Sequence, residues 1–347
     1  MIIDYTKITL ILLISLLVYY LNLQIINTKS KKIYFHQKYS SDYLGNPIGG
    51  YVIFLFILFF NFYFDLIELF FLFLIFVSGI LSDNKLFNSP TKRLFFQILF
   101  VLMFVLVSNL EIVSTRNIFL DQLLSIVFFN VIFTSFCILI VINGSNFIDG
   151  LNGVVISYYS IIVFIFLSSD LNLGFYIQNQ LFENLFLILI FLLILNYLNL
   201  IYLGDNGSYL IGFLFSIFLI RLHQNNVDLS PYFIILLLWY PCFENLFSIL
   251  RKKLFKISAV EPDNQHLHHL IFHFTSKIFK IKNKLIVNNL SSLIISFYHL
   301  PVFIIGFQNY SKTNVQLCLI FFNLIVYVVI YVLLLKFKKK KIKKFLW

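Results

Sequence analysis

The sequence predicts an all-α fold, a polytopic helical bundle in a membrane. Of its 347 residues, 60% are hydrophobic and 12% are charged, and the mean hydropathy is +0.92, which is far too apolar for a soluble domain. The apolar runs are continuous and lack the alternation of side chains that a membrane β-barrel shows. Residues 1–347 are therefore predicted to form a single integral membrane domain.

The apolar runs predict about eleven transmembrane helices, since a helix needs about 20 residues to cross the hydrocarbon core. Ten is the alternative, because only a weak break near Asp65 separates the second run from the third, and the eighth run is short. The runs are 8–26, 49–64, 66–81, 94–110, 121–142, 154–169, 184–202, 209–222, 230–250, 286–308 and 315–335.

The cations predict the orientation, because Lys and Arg accumulate on the cytoplasmic side. If the first helix runs from outside to inside, 22 of the 26 Lys and Arg fall in inside segments, including the loop 251–285 and the basic tail 336–347. Loss of one early helix would scatter these segments over both sides, so the bias favours eleven helices. The exceptions are Lys7, Arg116, Arg221 and Lys312.

The net charge of +11 indicates topology and attraction to anionic membrane lipids. Nothing resembles a fold that reads a groove or stacks bases, so no nucleic-acid partner is expected. Cys137, Cys242 and Cys318 lie in apolar runs, without a disulfide or zinc pattern, and are interpreted as packing residues. The first run is interpreted as a retained anchor, since it lacks a small-residue cleavage site.

A polar stretch from Asn143 to Gly153 ends a long apolar run. Four residues with side-chain oxygens recur in it every three positions, and on a helix or helix-like turn we expect them to point to roughly one side. They are Asn143, Asn146, Asp149 and Asn152. Intervening glycines let backbone approach a ligand closely, as phosphate-cradling loops require. A polar turn between two membrane helices is the alternative.

A second polar turn, from Leu203 to Ser208, places Asp205 beside two glycines at the end of another apolar run. Hard cations such as Mg²⁺ bind carboxylate and amide oxygens and share substrate phosphates. Asp149 and Asp205 are therefore a candidate metal and phosphate centre. Tyr202 precedes Asp205 by three residues, and it is interpreted as an interfacial anchor, with stacking on a nucleobase as the alternative.

Asp83 is a third carboxylate on the same predicted face, although a polar helix end is an equal interpretation of it. Converging carboxylates repel unless a cation or a proton separates them, so three imply Mg²⁺, a raised pKa, or both. Glu244 is a further ionisable residue, several positions inside a predicted helix, where such groups usually face a polar interior.

The loop 251–285 carries three histidines within four residues, His266, His268 and His269. Zinc sites usually combine His with Cys or carboxylates at helical or finger-like spacing, which this cluster lacks. Hydrogen bonds from the imidazoles to phosphate fit the acidic turns better. A solvated polar loop stays open as the alternative.

Together these stretches resemble the polyprenyl-phosphate N-acetylhexosamine-1-phosphate transferases, a family that includes phospho-MurNAc-pentapeptide translocase and the GlcNAc-1-phosphate transferases. Four motifs along most of the chain carry the resemblance. They are Pro47 to Gly50, similar to a Pro-x-Gly-Gly turn; Asn143 to Gly153, similar to Asn-x-x-Asn-x-x-Asp-Gly-x-x-Gly; Leu203 to Ser208, similar to Gly-Asp-x-Gly-Ser; and Asp263 to His269, similar to the His-x-His-His loop of the GlcNAc-type branch.

The resemblance implies that a polyprenyl-phosphate oxygen, such as that of undecaprenyl phosphate, attacks the β-phosphorus of a UDP-sugar such as UDP-GlcNAc. The products are a lipid-diphospho-sugar and UMP, and the step starts a cell-envelope glycan of the cell wall or lipopolysaccharide. It implies a Mg²⁺-dependent enzyme in the bacterial cytoplasmic membrane, with the active site on the cytoplasmic face. A homodimer is compatible with it.

The resemblance also implies roles for the candidate residues. Asp205 is expected to bind Mg²⁺, Asp149 and Asn146 to hold the nucleotide diphosphate or the waters of the metal, and Asp83 to orient the lipid phosphate. Asp149 is also a candidate metal ligand. The other candidate substrate-binding residues are Asn143, Arg93, Tyr202, His266, His268 and His269.

The chain departs from the family at a pair of aspartates after the third helix, where it has Ser82-Asp83. Arg93 still follows at about the usual distance. Either Asp83 suffices, or the activity is weakened or altered, so a catalytically impaired relative is one alternative. A transporter or flippase of lipid-linked sugars is the other, but it would place ionisable residues near the bilayer midplane, whereas most of them lie at the inner boundary.

Overall fold

The computed structural model confirms the all-α prediction, with thirteen helices and no strand in the part of the chain that it describes. That part comprises residues 47–60, 64–87, 89–168, 179–254, 256 and 265–344, together with isolated residues between 6 and 20. The helices are α1 (Gly49–Phe59), α2 (Leu66–Asp83), α3 (Pro90–Ser108), α4 (Ile118–Leu124), α5 (Val127–Ile148), α6 (Val154–Leu167), α7 (Asn179–Tyr197), α8 (Gly204–Gln224), α9 (Pro231–Leu237), α10 (Trp239–Leu254), α11 (Leu267–Ile278), α12 (Lys284–Gln308) and α13 (Thr313–Lys344).

Helix α8 is the centre of the bundle. It is buried along nearly its whole length, because its own residues are apolar or small on nearly every face of the helix. Helices α1, α2 and α5 pack directly against it. The amino-terminal end of α8 therefore lies where several other helices begin or end.

The structure does not confirm the count of eleven spans. Six described helices are long and apolar enough to cross a membrane, or seven if α9 and α10 form one broken span. The predicted runs 49–64, 154–169 and 184–202 correspond to shorter apolar helices. The predicted run 8–26 and the basic segment after it lie largely outside the described residues.

The weak break near Asp65 is a helix boundary with a capping box. The Glu68 amide donates to Asp65 Oδ1 at 2.7 Å, and the Asp65 amide donates to Glu68 Oε2 at 3.1 Å. Such a box satisfies amides at a helix start that would otherwise lack partners. Arg221 of α8 forms ion pairs with both carboxylates, and the Glu68 carboxylate is nearly buried. One of the four cations predicted on the outer side is thus held against a helix start.

The predicted loop 251–285 and the predicted basic tail 336–347 are both partly helical. Within 251–285, α10 runs on to Leu254 and α11 forms over Leu267–Ile278, because Leu267, Leu270 and Ile271 are spaced to bury one helical face. The residues 257–264, which include Asp263 of the predicted motif, lie outside the described part. The basic tail continues α13 to Lys344, since Lys is a good helix former and cations are favourable at a helix carboxyl end.

Helices α9 and α10 are the halves of a broken helix that bends by 73°. Bending removes regular hydrogen bonds, and the buried Tyr158 of α6 replaces one of them. Its hydroxyl donates to the Leu237 carbonyl at 2.7 Å and lies 3.4 Å from the Tyr240 amide. The bend gives α10 a direction of its own and carries Glu244 into the protein interior.

We expect Tyr158→Phe to destabilise the protein by about 1–3 kcal/mol, because it leaves the Leu237 carbonyl buried without its donor. Tyr232→Phe is the matched control, since Tyr232 lies on the same broken helix and is partly exposed. Thermal unfolding of the two variants in detergent measures the difference. Equal midpoints would show that Tyr158 does not stabilise the break.

Candidate active site

Asp83 caps the amino terminus of α8 from another helix. The residue before α8 is Leu203, whose side chain cannot accept a hydrogen bond. Asp83, the last residue of α2, accepts instead: Oδ1 from the Asp205 amide at 2.9 Å and Oδ2 from the Asn206 amide at 3.0 Å. Gly204 precedes these amides at φ 73°, a conformation that favours glycine. The carboxylate thus satisfies two amides that a helix start leaves without partners.

Asn206 ties the predicted Pro-x-Gly-Gly turn to the same point. Its side-chain amide donates to the Pro47 carbonyl at 2.8 Å and to the Asp83 carboxylate. The Gly49 amide donates to the Tyr202 carbonyl at 3.0 Å. The start of α1, the end of α2 and the start of α8 therefore meet as one hydrogen-bonded unit.

Asp205 lies within this unit and is held by three side chains. The Ser82 hydroxyl and Arg93 donate to its Oδ2, the latter at 3.0 Å, and Asn146 donates to Oδ1 at 2.6 Å. Arg93 also donates to Ser82 Oγ at 2.8 Å. Ser82, at the position where the family has its first aspartate, thus links the guanidinium to Asp205.

The three predicted aspartates line one open pocket. Asp149 follows the last residue of α5, Asp83 ends α2 and Asp205 lies in the first turn of α8. The other lining residues are Pro47, Asn146, Gly150, Leu151, Asn152, Asn196, Tyr202 and Gly204. Long segments separate these aspartates in the sequence, and the packing of the helix ends brings them together.

Asp149 is the least compensated of the three carboxylates. No described side chain donates a hydrogen bond to it, whereas Asp83 and Asp205 each accept several. Burial, followed by the charges of Asp205 and Asp83, raises the pKa of the Asp149 carboxyl well above its usual range. A pocket of this kind favours a bound proton or a cation at Asp149.

The donor set fits Mg²⁺ only if substrate supplies further ligands. Within the described residues, no three His, Cys, Asp or Glu side chains are grouped closely enough to hold a metal. Mg²⁺ is, however, commonly bound through one or two carboxylates plus substrate phosphates and waters. Asp149 and Asp205 both line the pocket and supply two such carboxylates.

The expected face of four oxygens forms only in part, and Asn143 does not line the pocket. Its side-chain amide donates to Gln97 Oε1 at 3.1 Å and to the Leu139 carbonyl at 2.9 Å. Helix α5 continues to Ile148, and on a helix each step of three residues rotates the side chain by about 60° away from the previous one. Asn143 therefore faces α3, while Asn146 reaches Asp205.

Asparagines that are distant in sequence hold the turn after Asp149. The Asn152 amide donates to Asn288 Oδ1 at 2.8 Å, and the Gly153 amide donates to Asn196 Oδ1 at 2.5 Å. The Asn152 side chain donates to the Asn196 carbonyl at 2.9 Å. Sequence reasoning missed Asn288, whose signal was a cluster of polar residues at the start of a predicted apolar helix, Asn288, Asn289, Ser291 and Ser292.

Tyr202 lines the pocket, and its hydroxyl donates to Asn199 Oδ1. This hydrogen bond fixes the edge of the ring beside the turn that Asn152 occupies, since Asn152 also donates to Asn199 Oδ1 at 3.2 Å. Stacking of the Tyr202 ring face on a nucleobase stays a prediction.

The histidines pack against the same turn from α11. His268 is completely buried, and a side chain on Gly150 would place its Cβ 2.1 Å from His268 Nε2. The His268 and His269 rings lie 4.1 Å apart, and His266 lies 5.5 Å from His268 with nearly parallel rings. The cluster thus borders the pocket at Gly150, although the three rings are not among its lining residues.

We expect Ser82→Asp to make stability depend on Mg²⁺. The new carboxylate would join three others against the single guanidinium of Arg93, which should destabilise the metal-free protein by about 1–3 kcal/mol. Thermal unfolding with and without Mg²⁺ measures this, and Ser82→Asn is the uncharged control. A Ser82→Asp protein that is as stable as wild type without Mg²⁺ would contradict the charge balance described above.

We expect the metal-free protein to lose stability as the pH rises. A carboxyl with a higher pKa when folded contributes stability that is fully present below its unfolded pKa of about 4 and is lost as the pH rises through the folded value. Asp149→Asn cannot ionise, so its unfolding midpoint in chelator should fall less between pH 5 and pH 8. Asp228→Asn, at an exposed site, should keep the wild-type slope. Equal slopes for Asp149→Asn and wild type would contradict the assignment.

Comparison with known proteins agrees with this geometry. Residues 66–223 match the model of glycosyl transferase family 4, and the matched segment begins at α2 and ends within α8. It therefore contains Asp83, Asp149 and Asp205, together with Ser82, Arg93 and Asn146. A search of curated proteins found no match. Residues 66–223, which contain this site, are therefore similar to glycosyl transferase family 4, a family of phosphosugar transferases.

Proposed function

We propose that the protein transfers N-acetylhexosamine-1-phosphate from a UDP-sugar to polyprenyl phosphate and releases UMP. The observation that carries the proposal is the shared pocket of Asp83, Asp149 and Asp205 at the ends of three helices. Phosphoryl transfer depends mainly on positioning and on neutralising charge, which this pocket is built to do. The sugar and the donor rest on the resemblance of the Asp263 to His269 loop to the GlcNAc-type branch.

In this proposal, Asp149 and Asp205 would hold Mg²⁺, which supplies neutralisation of the diphosphate charge when it is bound. Asn146 and Ser82 orient the Asp205 carboxylate, and Arg93 adds a fixed positive charge beside it. Asp83 holds the amino terminus of α8, whose dipole favours an anionic ligand nearby. Tyr202 offers its ring face to the uracil.

The chemistry balances as a single displacement. An oxygen of the polyprenyl phosphate forms a bond to the β-phosphorus of the UDP-sugar, and the bond from that phosphorus to the bridging oxygen breaks. The bridging oxygen leaves with its electron pair as part of UMP. A doubly ionised lipid phosphate needs no base, so the missing first aspartate at Ser82 does not by itself prevent the reaction.

The placement of the carboxylates favours an enzyme over a transporter. Transport paths place ionisable groups near the bilayer midplane. Here Asp83 ends α2, Asp149 follows α5 and Asp205 begins α8, so all three lie at helix ends. The distribution of Lys and Arg supports a cytoplasmic position for these ends, in a bacterial cytoplasmic membrane, with attraction to anionic lipids.

We expect Asp205→Asn to lower transfer of labelled sugar phosphate from UDP-GlcNAc to undecaprenyl phosphate by at least about 100-fold. The substitution keeps the size of the side chain and removes the negative charge that pairs with Arg93 and that would hold Mg²⁺. The assay uses purified protein with Mg²⁺, and a parallel sample with chelator should be inactive.

Asp228→Asn is the matched control and should retain wild-type activity, since Asp228 is exposed and its backbone carbonyl, not its carboxylate, accepts from Arg116. Equal activity of Asp205→Asn and wild type would remove Asp205 from the mechanism. No product from any of a panel of UDP-sugars would overturn the proposed function itself.

A further inference from the structure

Glu244 is a completely buried carboxylate on α10. Burial of a charge is costly unless partners compensate it, so its contacts indicate why it is there. Its Oε1 lies 2.9 Å from His266 Nδ1, and its Oε2 accepts a hydrogen bond from the Tyr327 hydroxyl at 2.7 Å. An ionised carboxylate only accepts, so the contact requires a proton on Nδ1 of His266.

A second residue on the same face of α10, Arg251, contacts Gln265, the residue before His266. Arg251 lies two turns after Glu244 and donates to the Gln265 carbonyl at 2.6 Å and to the Tyr331 hydroxyl at 3.0 Å. Gln265 and His266 are thus held at consecutive positions, immediately before α11. Tyr327 and Tyr331, on one face of α13, form hydrogen bonds with Glu244 and Arg251 respectively.

These contacts of Glu244 and Arg251 with His266 and Gln265 lie next to the histidine cluster. The His266 ring lies 5.7 Å from Phe147, two residues before Asp149, and 5.5 Å from His268, which abuts Gly150 of the pocket. With Nδ1 bound to Glu244, Nε2 is the ring nitrogen left for a ligand. The orientation of the His266 ring is therefore set from α10.

We propose that Glu244 is a positioning residue for the transferase, fixing the His266 ring with its proton on Nδ1 so that Nε2 serves the diphosphate of the donor. The inference rests on the proposed function. In the complex, the ring takes up a second proton from solvent, on Nε2, and then donates to both the Glu244 carboxylate and a phosphate oxygen. A carboxylate behind a functional histidine orients that ring and selects its tautomer, as in other sites built on this pair.

A double-mutant cycle on the full chain tests the coupling. We expect Glu244→Gln to lower kcat about 10- to 100-fold, with the KM for polyprenyl phosphate nearly unchanged, because the lipid is not bound through His266. In a His266→Asn background, the same substitution should cost less than about threefold, since its effect passes through the missing ring. A loss of equal size in both backgrounds, or no loss in either, would overturn the inference.

Tyr327→Phe separates positioning from packing. It removes the second hydrogen bond of the same carboxylate and leaves the contact with His266 intact. We expect its activity to stay within about threefold of wild type. A loss as large as that of Glu244→Gln would show that the carboxylate acts by holding α13.

A spectroscopic measurement separates failure of this inference from failure of the proposed function. In protein labelled with ¹⁵N-histidine, the His266 signals are identified by their loss in His266→Asn. We expect Nδ1 of His266 to be protonated in the wild type, whether or not the assay detects transfer. An unprotonated Nδ1 would overturn the inference even in an active enzyme.

Discussion

The bidentate hydrogen bond from the Asp205 and Asn206 amides to the Asp83 carboxylate organises the site. A helix starts with amides that have no partner inside the helix, and Leu203 before α8 cannot supply one. Because the cap comes from α2 and not from the residue before α8, it joins two helices that are far apart in the sequence. Asn206 extends the link to Pro47. The position of the Asp205 side chain follows from this junction.

The junction concentrates negative charge, and its neighbours determine how that charge is balanced. Arg93 and Ser82 donate hydrogen bonds to Asp205, and the first amides of α8 donate to Asp83. Asp149 lines the pocket, and no described side chain donates to it. A serine where the family has an aspartate lets one guanidinium suffice for Asp205. Asp149 is therefore the carboxylate of the pocket whose negative charge is least compensated. A cation that accompanies the substrate diphosphate would compensate this charge, as the proposed transfer requires.

The sequence predicted the helical class, the break at Asp65 and the meeting of three aspartates, because long apolar runs, polar turns and cation bias are local signals. It did not predict that α5 would continue past Asn143, since three-residue spacing alone does not distinguish a turn from a helix. It also missed Asn288 and the partners of Glu244, which depend on how distant helices pack. The histidine segment was predicted as a polar loop, yet apolar residues spaced for one helical face make it α11. The structure does not confirm the span count, because several of the described helices are shorter than a membrane crossing.

Two carboxylates thus position the site: Asp83, which lines the pocket, fixes α8, and the buried Glu244 fixes His266. Of these, the Asp83 cap is the claim on which the rest depends, and amide hydrogen exchange tests it most directly. We predict slow exchange at the Asp205 and Asn206 amides in the wild type, although the first amides of a helix normally exchange fast, and fast exchange in Asp83→Ala. Fast exchange in the wild type, or protection that persists in Asp83→Ala, would contradict the account.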